Sequence, residues 1–222
     1  MLFGNSILQK EASFFHAQKR VKGRLHKILY TIFTRVENLN SILRHGIIPV
    51  KDLDNRRMNY TCNDEDRWDN RRDRSSFSID FPNYRFFYKL RMHYLQKEWV
   101  VLQLNKKILW TKDCLFCVDN AARSSVACID DQDKKGIRAF EKLYDEYPNQ
   151  RTRQQMRLKK SYTTNPQAEI LVLGDIEPDL ISNVIFETNQ AREKFRNSIN
   201  SEVNLGVNSD LFKYRHDYED WR

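Results

Sequence analysis

The spacing of hydrophobic and polar positions along the chain changes several times, and each change marks a predicted element. Short runs rich in β-branched and aromatic residues, such as ILYTIFT and EWVVLQL, are typical of buried strands. The run SFSIDF alternates apolar and polar residues, which also predicts a strand. The predicted strands are 28–34, 76–81, 98–104, 169–173 and 183–187.

Other stretches repeat their apolar residues at helical intervals. In 36–46, Leu39, Ile42 and Leu43 share one face, and Gly46 is suited to end a helix. Further helices are predicted at about 5–27, which is basic, and at 84–97, 134–147 and 190–200. Because the helices interrupt the strands without alternating strictly with them, the pattern predicts an α+β fold. A chain of 222 residues is expected to form one domain over residues 1–222.

Two long segments have no usable periodicity and are predicted as loops. Residues 51–74 contain seven basic and seven acidic residues. Residues 148–168 contain no acid, and five cations give this stretch a charge of +5. Long loops inside a folded domain are usually functional or mobile.

Composition narrows the class of partner. The formal net charge of +8 favours a polyanion such as nucleic acid, although many soluble proteins are basic without a functional reason. The N-terminus lacks the features of a signal peptide and no apolar run reaches membrane length, so no membrane association and a cytoplasmic location are expected. Four cysteines fit a reducing compartment. Cys114 and Cys117 form one CxxC without a second ligand pair, so no metal is predicted.

Three segments occur in an order that resembles the DarT family, toxins that transfer ADP-ribose from NAD to bases of single-stranded DNA. They are YTIFTRVENLNSILRHGI, RSSFSIDFPNYRFFY and NPQAEILV. In the first segment Arg35 stands where the family often has histidine. The second segment is similar to the family branch that modifies guanine. The first segment matches the family at Thr34, Asn38, Leu39, Ile42, Leu43 and Gly46.

The resemblance implies an ADP-ribosyltransferase-like fold with a central, mainly antiparallel split β-sheet flanked by helices. It also implies that Glu169, at the start of a strand, is the catalytic carboxylate. Cleavage of the nicotinamide–ribose bond builds positive charge on the sugar, and a nearby carboxylate stabilises that charge in the transition state. Without the resemblance, a surface glutamate that simply begins a strand is the more usual interpretation of Glu169.

The same resemblance places NAD, as a substrate, beneath the loop 51–74, without any metal. An arginine of this loop is expected to assist the transfer, with Arg67 the first choice and Arg74 the second. The aromatic residues Phe87 and Tyr88 are alternatives for the nicotinamide slot, although core packing is more usual at helical spacing. The predicted NAD-binding residues are Thr34, Arg35, Leu43, Ser78 and Tyr84.

The acid-free stretch 148–168 is expected to recognise the nucleic acid. Arg157, Lys159 and Lys160 would contact phosphates, and Tyr162 would stack on a base. Asn165 and Gln167 have amides that can read a base edge. We therefore expect transfer to guanine in single-stranded DNA, with RNA as an alternative substrate and a non-catalytic nucleic-acid-binding protein as an alternative class. The resemblance further implies a toxin with a macrodomain-type antitoxin and a role in phage defence.

Overall fold

A computed structural model describes residues 8–14, 16, 29–63, 71–199 and 202–222 of the chain. Most of the predicted N-terminal basic helix lies outside these residues, but 8–14 are helical, and Phe14 packs on the rings of Phe116 and Phe140. The strands are β1 (Tyr30–Arg35), β2 (Arg74–Ile79), β3 (Trp99–Leu104), β4 (Cys114–Cys117), β5 (Glu169–Leu173), β6 (Ile181–Phe186) and β7 (Asn204–Val207).

The seven strands form one sheet in the order β4-β5-β2-β1-β3-β6-β7. All neighbouring strands are antiparallel except β6 and β7, which are parallel. The predicted α+β class and the split, mainly antiparallel sheet are therefore confirmed. The split lies between β1 and β2, which pair only at Tyr30 with Ile79 and Thr31 with Ser78. By contrast, β1 pairs with β3 along all six of its residues.

Helices flank the sheet, and their bounds are Leu39–His45, Val50–Asn55, Tyr84–His93, Ile108–Thr111, Ser124–Ala127, Gly136–Lys142 and Asn189–Arg196. Short 3-10 turns are found at Val36–Asn38, Pro178–Leu180, Ser209–Phe212 and Tyr218–Trp221. The prediction that 51–74 is entirely loop is wrong, because a helix occupies Val50–Asn55 and β2 begins at Arg74. With only Val50 and Leu53 as apolar residues, this helix is too short to show a period.

Gly46 ends the helix Leu39–His45 as the sequence predicts. Its φ of 88° is a left-handed conformation, and its N–H donates to the carbonyl of Ile42 at 2.8 Å. Ile47 then pairs with Ile176 through two backbone hydrogen bonds of 2.9 Å. This turn fixes the helix against the segment that follows β5.

The two cysteines of the CxxC pattern lie in β4, a strand that the sequence did not predict. Because side chains alternate along a strand, positions three apart face opposite sides of the sheet. Cys114 accordingly packs in the largest apolar cluster and Cys117 in a smaller one. Burial is the main cause that raises the pKa of each thiol to about 12. These two sulfurs cannot bind one metal ion together.

In the described part of the chain, no helix is long and apolar enough to cross a membrane. Within the same residues, no three or more His, Cys, Asp or Glu side chains cluster in a way that could hold a metal ion.

Candidate active site

A cavity of about 830 Å³ opens where β1 and β2 separate. Residues 31–34 of β1 form one wall, and Arg74, Ser76 and Ser78 of β2 form the other. The helix Val50–Asn55 and the segment 60–63 close one end, so the charged loop does border the cavity. The volume lies within the usual range of 300–1,000 Å³ for small-molecule and cofactor sites.

Glu169 lies in this cavity as the first residue of β5. Two side chains from distant parts of the sequence hold its carboxylate. Ser76 Oγ donates to Oε2 at 3.0 Å, and Asn120 Nδ2 donates to Oε1 at 2.9 Å. The carboxylate is therefore fixed at the edge of a rigid strand, as a group that must meet a developing charge should be.

The turn that carries Asn120 is itself built on a buried acid. Asp119 is 1% exposed. Its carboxylate accepts from the hydroxyl of Tyr147 at 2.6 Å and from the N–H of Asn120 at 2.7 Å. Arg123 Nη1 lies 3.1 Å from the same carboxylate. Burial and the hydrogen bond to Asp119 raise the pKa of Tyr147, which therefore remains a donor. This network positions the amide that contacts Glu169, and no periodic pattern in the sequence indicates it.

Thr34, a predicted NAD-binding residue, is buried at the cavity wall. Its hydroxyl oxygen accepts from Asn38 Nδ2 at 3.2 Å and from Asn63 Nδ2 at 3.1 Å. Asn38 also exchanges two hydrogen bonds of 2.8 Å with the backbone of Thr61. Because both acceptor positions of the Thr34 oxygen are used, its proton is available to donate to a ligand.

The predicted residue Ser78 also lines the cavity, where its Oγ accepts from the N–H of Asn83 at 3.0 Å. Asn83 in turn caps the helix Tyr84–His93 by accepting from the N–H of Phe86. Phe86 faces the cavity, whereas Phe87 is buried in a stacked pair with Phe33 at 4.3 Å. Of the helix's aromatic residues, Phe86 therefore takes the place expected for Phe87 or Tyr88.

Three predicted NAD-binding side chains are not among the residues that line the cavity: Arg35, Leu43 and Tyr84. Arg35 is instead 5% exposed, with its guanidinium carbon 3.9 Å from the ring centroid of Tyr94. Leu43 packs against the main apolar cluster. Tyr84 is buried in the second cluster, and burial is the main cause that raises its pKa to about 12.

The two arginines expected to assist transfer are placed differently. Arg67 lies outside the described residues. Arg74 lines the cavity and is 7% exposed, with Nη2 3.8 Å from Asp131 Oδ2. The same Asp131 forms a two-pronged ion pair with Arg71 at 2.8 and 2.9 Å. Burial acts to raise the pKa of Asp131, but Arg71 and Lys134 outweigh it and the pKa is lowered.

The predicted recognition stretch 148–168 divides into an exposed part and a buried part. Arg157, Lys159 and Lys160 are exposed, as phosphate-contacting residues should be. Tyr162 is instead packed edge-on to Phe81 at 5.8 Å, with the guanidinium of Arg215 over its ring. Its buried ring is not placed to stack on a base.

The two amides predicted to read a base also differ. Asn165 is buried, and its Oδ1 accepts from the N–H of Gln167 at 2.8 Å, so it shapes the loop. Gln167 lines the cavity two residues before Glu169. Its side-chain amide makes no hydrogen bond to the described residues and is available to a ligand.

The C-terminal tail holds this loop in place, which the sequence did not predict. Arg215 and Asp217 form a buried ion pair of 2.6 Å, with side chains 2% and 0% exposed. Arg215 also donates to the carbonyls of Thr163 and Thr164, both at 2.9 Å. Trp221 Nε1 completes the network by donating to Asp217 at 2.9 Å. Each of the three guanidinium nitrogens of Arg215 makes at least one hydrogen bond, so this buried pair is a strong constraint on the loop that leads to Glu169.

Comparisons with solved structures define the class of protein. The chain resembles Thermosipho africanus DarTG in complex with ADP-ribose, with a TM-score of 0.63 and 16% identity, over 84% of this chain and 51% of that one. It therefore spans about half the length of the Thermosipho chain. Two structures of Thermus sp. 2.9 DarT, with NAD⁺ and with carba-NAD⁺, match at TM-scores of 0.50 and 0.52 and 15% identity. Both of these matches cover 84% of this chain and 97% of the Thermus chain. The fold is that of an ADP-ribosyltransferase.

The family follows from the sequence. The family model described as "DarT: ssDNA thymidine ADP-ribosyltransferase, DarT" matches residues 32–218. The chain belongs to the DarT family of single-stranded DNA ADP-ribosyltransferases, enzymes whose ADP-ribose donor is NAD. The resemblance noted in the sequence is thereby confirmed for the family. A comparison with curated proteins returned no match.

Proposed function

We propose that this cavity binds NAD and that Glu169 assists transfer of ADP-ribose to a base of single-stranded DNA. The observation that carries the proposal is a carboxylate oriented by two donors inside a cavity at the split of the sheet. A glutamate that only began a strand would have no need of Ser76 and Asn120.

The chemistry follows from that placement. The bond between nicotinamide and ribose breaks with its electron pair leaving on nicotinamide, and positive charge develops on the ribose. The Glu169 carboxylate stabilises that charge and can accept a hydrogen bond from a ribose hydroxyl. The base attacks the ribose carbon, a new carbon–nitrogen bond forms, and the base loses the proton from the attacking nitrogen.

Several residues of the cavity suit the other parts of NAD. Arg74 and Arg123 supply positive charge for the pyrophosphate. Thr34 lies on the part of β1 that is not paired with β2, and Ser78 lies at the last pairing of the two strands; both offer hydroxyls to the cavity, which suits the nicotinamide amide. Phe86 offers an aromatic face. Arg67 stays a prediction for a group that assists transfer from the loop 51–74.

For the acceptor base we propose guanine. The segment RSSFSIDFPNY resembles the guanine-modifying branch of the family. The free amide of Gln167 offers both a donor for O6 and an acceptor for the N1–H edge of guanine. Thymidine is the second candidate, because the family model that matches the chain is described by that nucleoside. An amide can also pair with a thymine edge, so the side chain alone does not separate the two.

The test is a set of single-stranded oligonucleotides that each lack one base type, incubated with NAD and analysed by mass. We expect every strand that contains guanine to gain ADP-ribose and the strand without guanine to remain unmodified. Glu169→Gln keeps the size of the side chain but removes its charge, and it should lower transfer by about 10²-fold or more. Modification of a guanine-free strand that contains thymine would transfer the assignment to thymidine.

Matched RNA and duplex DNA strands complete the set. Duplex should be a poor substrate, because extruding a base costs a few kcal/mol. Modification of the RNA strands alone would contradict the DNA assignment.

The role of the protein in a cell is part of the same proposal. The similar Thermosipho structure is a DarTG. We propose that this chain is likewise a toxin whose mark is removed by a macrodomain-type antitoxin, and that it acts in phage defence. Growth arrest on expression, relieved by a macrodomain protein, is the expected result, and normal growth with an active enzyme would contradict it.

A further inference from the structure

Three tyrosines form a row on the surface where the helix Tyr84–His93 meets the C-terminal tail. We refer to Tyr88, Tyr214 and Tyr218 as the tyrosine row. The ring centroids of Tyr88 and Tyr214 are 5.4 Å apart, and those of Tyr214 and Tyr218 are 5.1 Å apart in a stacked pair. Tyr88 is 45% exposed and Tyr214 is 47% exposed. Exposed aromatic rings that are gathered in one place, unlike single apolar residues scattered over a surface, mark interaction sites.

The row is held firmly from below. Tyr214 precedes Arg215, whose buried guanidinium binds Asp217 and the carbonyls of Thr163 and Thr164. Tyr218 follows Asp217 directly. In the tail, buried residues that hydrogen-bond to the stretch 148–168 therefore alternate with aromatic residues that face solvent. The neighbouring hydroxyl of Tyr88 is the main cause that raises the pKa of Tyr214, which agrees with the closeness of the two rings.

The row is connected to the cavity at both of its supports. Tyr88 is followed by Lys89, which lines the cavity. Thr163 and Thr164, which Arg215 holds, lead within a few residues to Gln167 and Glu169 in the same cavity. A platform at the row therefore requires a strand whose target base enters the cavity to run across the helix Tyr84–His93, which lines the cavity with Phe86 and Lys89.

The charges around the row suit a polyanion. Lys89, next to Tyr88, and Arg157, whose carbonyl lies 3.1 Å from Nε2 of His216 in the tail, are exposed cations that form no ion pair with the described residues. The acids of the tail are already paired: Asp210 with Lys213 at 2.9 Å and Glu219 with Arg222 at 2.7 Å. Arg222 also lies over the ring of Tyr218, at 5.5 Å from its centroid. Free cations beside stacked aromatic faces are the features by which proteins track single strands.

We propose that the tyrosine row is a stacking platform for bases of single-stranded DNA that flank the target base. This inference rests on the proposed function and adds to it a place for the rest of the strand. The platform is tolerant of sequence, because every base has a face that can stack. The row therefore contributes affinity and strand selectivity, whereas the cavity contributes base selectivity.

The direct test is binding of a fluorescent 15-nucleotide single strand without NAD, followed by anisotropy. Tyr88→Ala and Tyr214→Ala should each weaken binding by roughly 5- to 150-fold, the effect of removing one stacked base. The double change Tyr88→Phe with Tyr214→Phe keeps both rings and should restore most of the affinity. Ile129→Ala, at a residue that is 37% exposed elsewhere on the surface, is the matched control and should change nothing.

A second readout separates the platform from the catalytic cavity. Stabilisation of the folded protein by NAD should be the same in the alanine variants as in the original chain. In transfer assays the KM for the 15-nucleotide strand should rise while kcat is retained. For a very short strand, limited to the target base and one neighbour, the KM should be the same in the alanine variants as in the original chain.

Each contrary result has a clear meaning. Equal binding by the alanine variants and the original chain would overturn the platform. So would a dimer of the original chain that the alanine changes dissociate, since the row would then be a contact between copies. If the original chain binds strands but transfers no ADP-ribose to any of them, the proposed function fails while the binding test of the platform still stands.

Discussion

At the scale of single residues, the proposed reacting centre depends on contacts made across long stretches of sequence. Ser76 and Asn120 reach Glu169 from 93 and 49 positions away. Neither residue is charged or aromatic, and both types are common in surface turns. Their importance appears only when the sheet brings the three side chains together.

Asn120→Ala should slow transfer by about tenfold or more, because a carboxylate that is displaced by a fraction of an ångström loses alignment with the ribose. The measurement is the single-turnover rate of transfer to an oligonucleotide at saturating NAD. Ser125→Ala, at an exposed position of the next helix, is the control. An unchanged rate in Asn120→Ala would show that Ser76 alone is enough to orient Glu169.

Tyr84 gives a prediction about pH. Its folded pKa is about 12, raised mainly by burial from the usual 10, so its ionised form favours the unfolded chain. The stability that the neutral phenol contributes is present below pH 10 and is lost as the pH rises towards 12, by at most about 3 kcal/mol. In Tyr84→Phe, the free energy of unfolding should fall less steeply between pH 10 and 12. Because the buried hydroxyl makes no hydrogen bond to the described residues, the change should not destabilise the protein at pH 7. Identical pH profiles would contradict this cause.

At the scale of elements, the turn at Gly46 joins the helix Leu39–His45 to the segment after β5. A Cβ built on Gly46 would meet the carbonyl oxygen of Ile176 at 2.1 Å, a backbone atom that cannot swing aside. Gly174 has a similar positive φ of 73°, but a Cβ there would have nothing within 4 Å. A substitution at Gly174 therefore introduces conformational strain alone, whereas a substitution at Gly46 introduces the same kind of strain together with a steric clash.

Gly46→Ala should destabilise the fold by several kcal/mol, whereas Gly174→Ala should cost only about 1–2 kcal/mol for the left-handed backbone. Urea unfolding of the two variants side by side checks this. Since Gly46 also lines the cavity, the first variant should bind NAD less tightly, and the second should bind it as the original chain does. Equal losses of stability in both variants would mean that the turn at Gly46 can relax.

The elements that the sequence predicted well are those whose hydrophobic pattern extends over at least five residues. β1, β3, β5 and β6 were recognised from apolar runs, and the helix Tyr84–His93 from its aromatic spacing. β4 and β7 were missed because each has only four residues, too few to show a pattern. Of the residues predicted for the site, Glu169, Thr34 and Ser78 do line the cavity, whereas Arg35 does not, because its guanidinium packs over the ring of Tyr94.

The buried pair of Arg215 and Asp217 shows why some of the site could not be predicted. In the sequence these residues lie in KYRHDYEDWR, a stretch that looks like a solvated tail. They become buried only because the tail folds over 162–165 and offers its donors to backbone carbonyls. Tyr162 was expected to stack on a base. Its burial could not be predicted either, because nothing in the sequence indicates that Arg215 lies over its ring.

At the scale of the whole molecule, charge governs the approach of nucleic acid. The chain has a formal charge of +8, but many of its cations are engaged in ion pairs. Arg157, Lys159 and Lys160 are exposed along the acid-free stretch and form no ion pair with the described residues. Binding of single strands should therefore weaken steeply as salt rises.

Changing Arg157, Lys159 and Lys160 together to Gln should weaken binding of all strands alike and reduce the salt slope by about 2, at roughly 0.7 per phosphate contact. Changing Arg192, Lys194 and Arg196 to Gln alters the net charge equally, but these cations are paired with Glu193 and Glu98. This control should leave the slope nearly unchanged. Equal effects of the two triple variants would indicate that only net charge matters and that the stretch is not a phosphate track.

The two short pairings between β1 and β2 have a consequence for the cavity. They divide the sheet into two plates, β4-β5-β2 and β1-β3-β6-β7, which pair with each other at Tyr30–Ile79 and Thr31–Ser78. Glu169 belongs to the first plate and Thr34 to the second, so a ligand that contacts both residues bridges the two plates. The break in the sheet thus lets side chains from two separate sets of strands line one cavity, while the Ile47–Ile176 pairing also ties the two sets together.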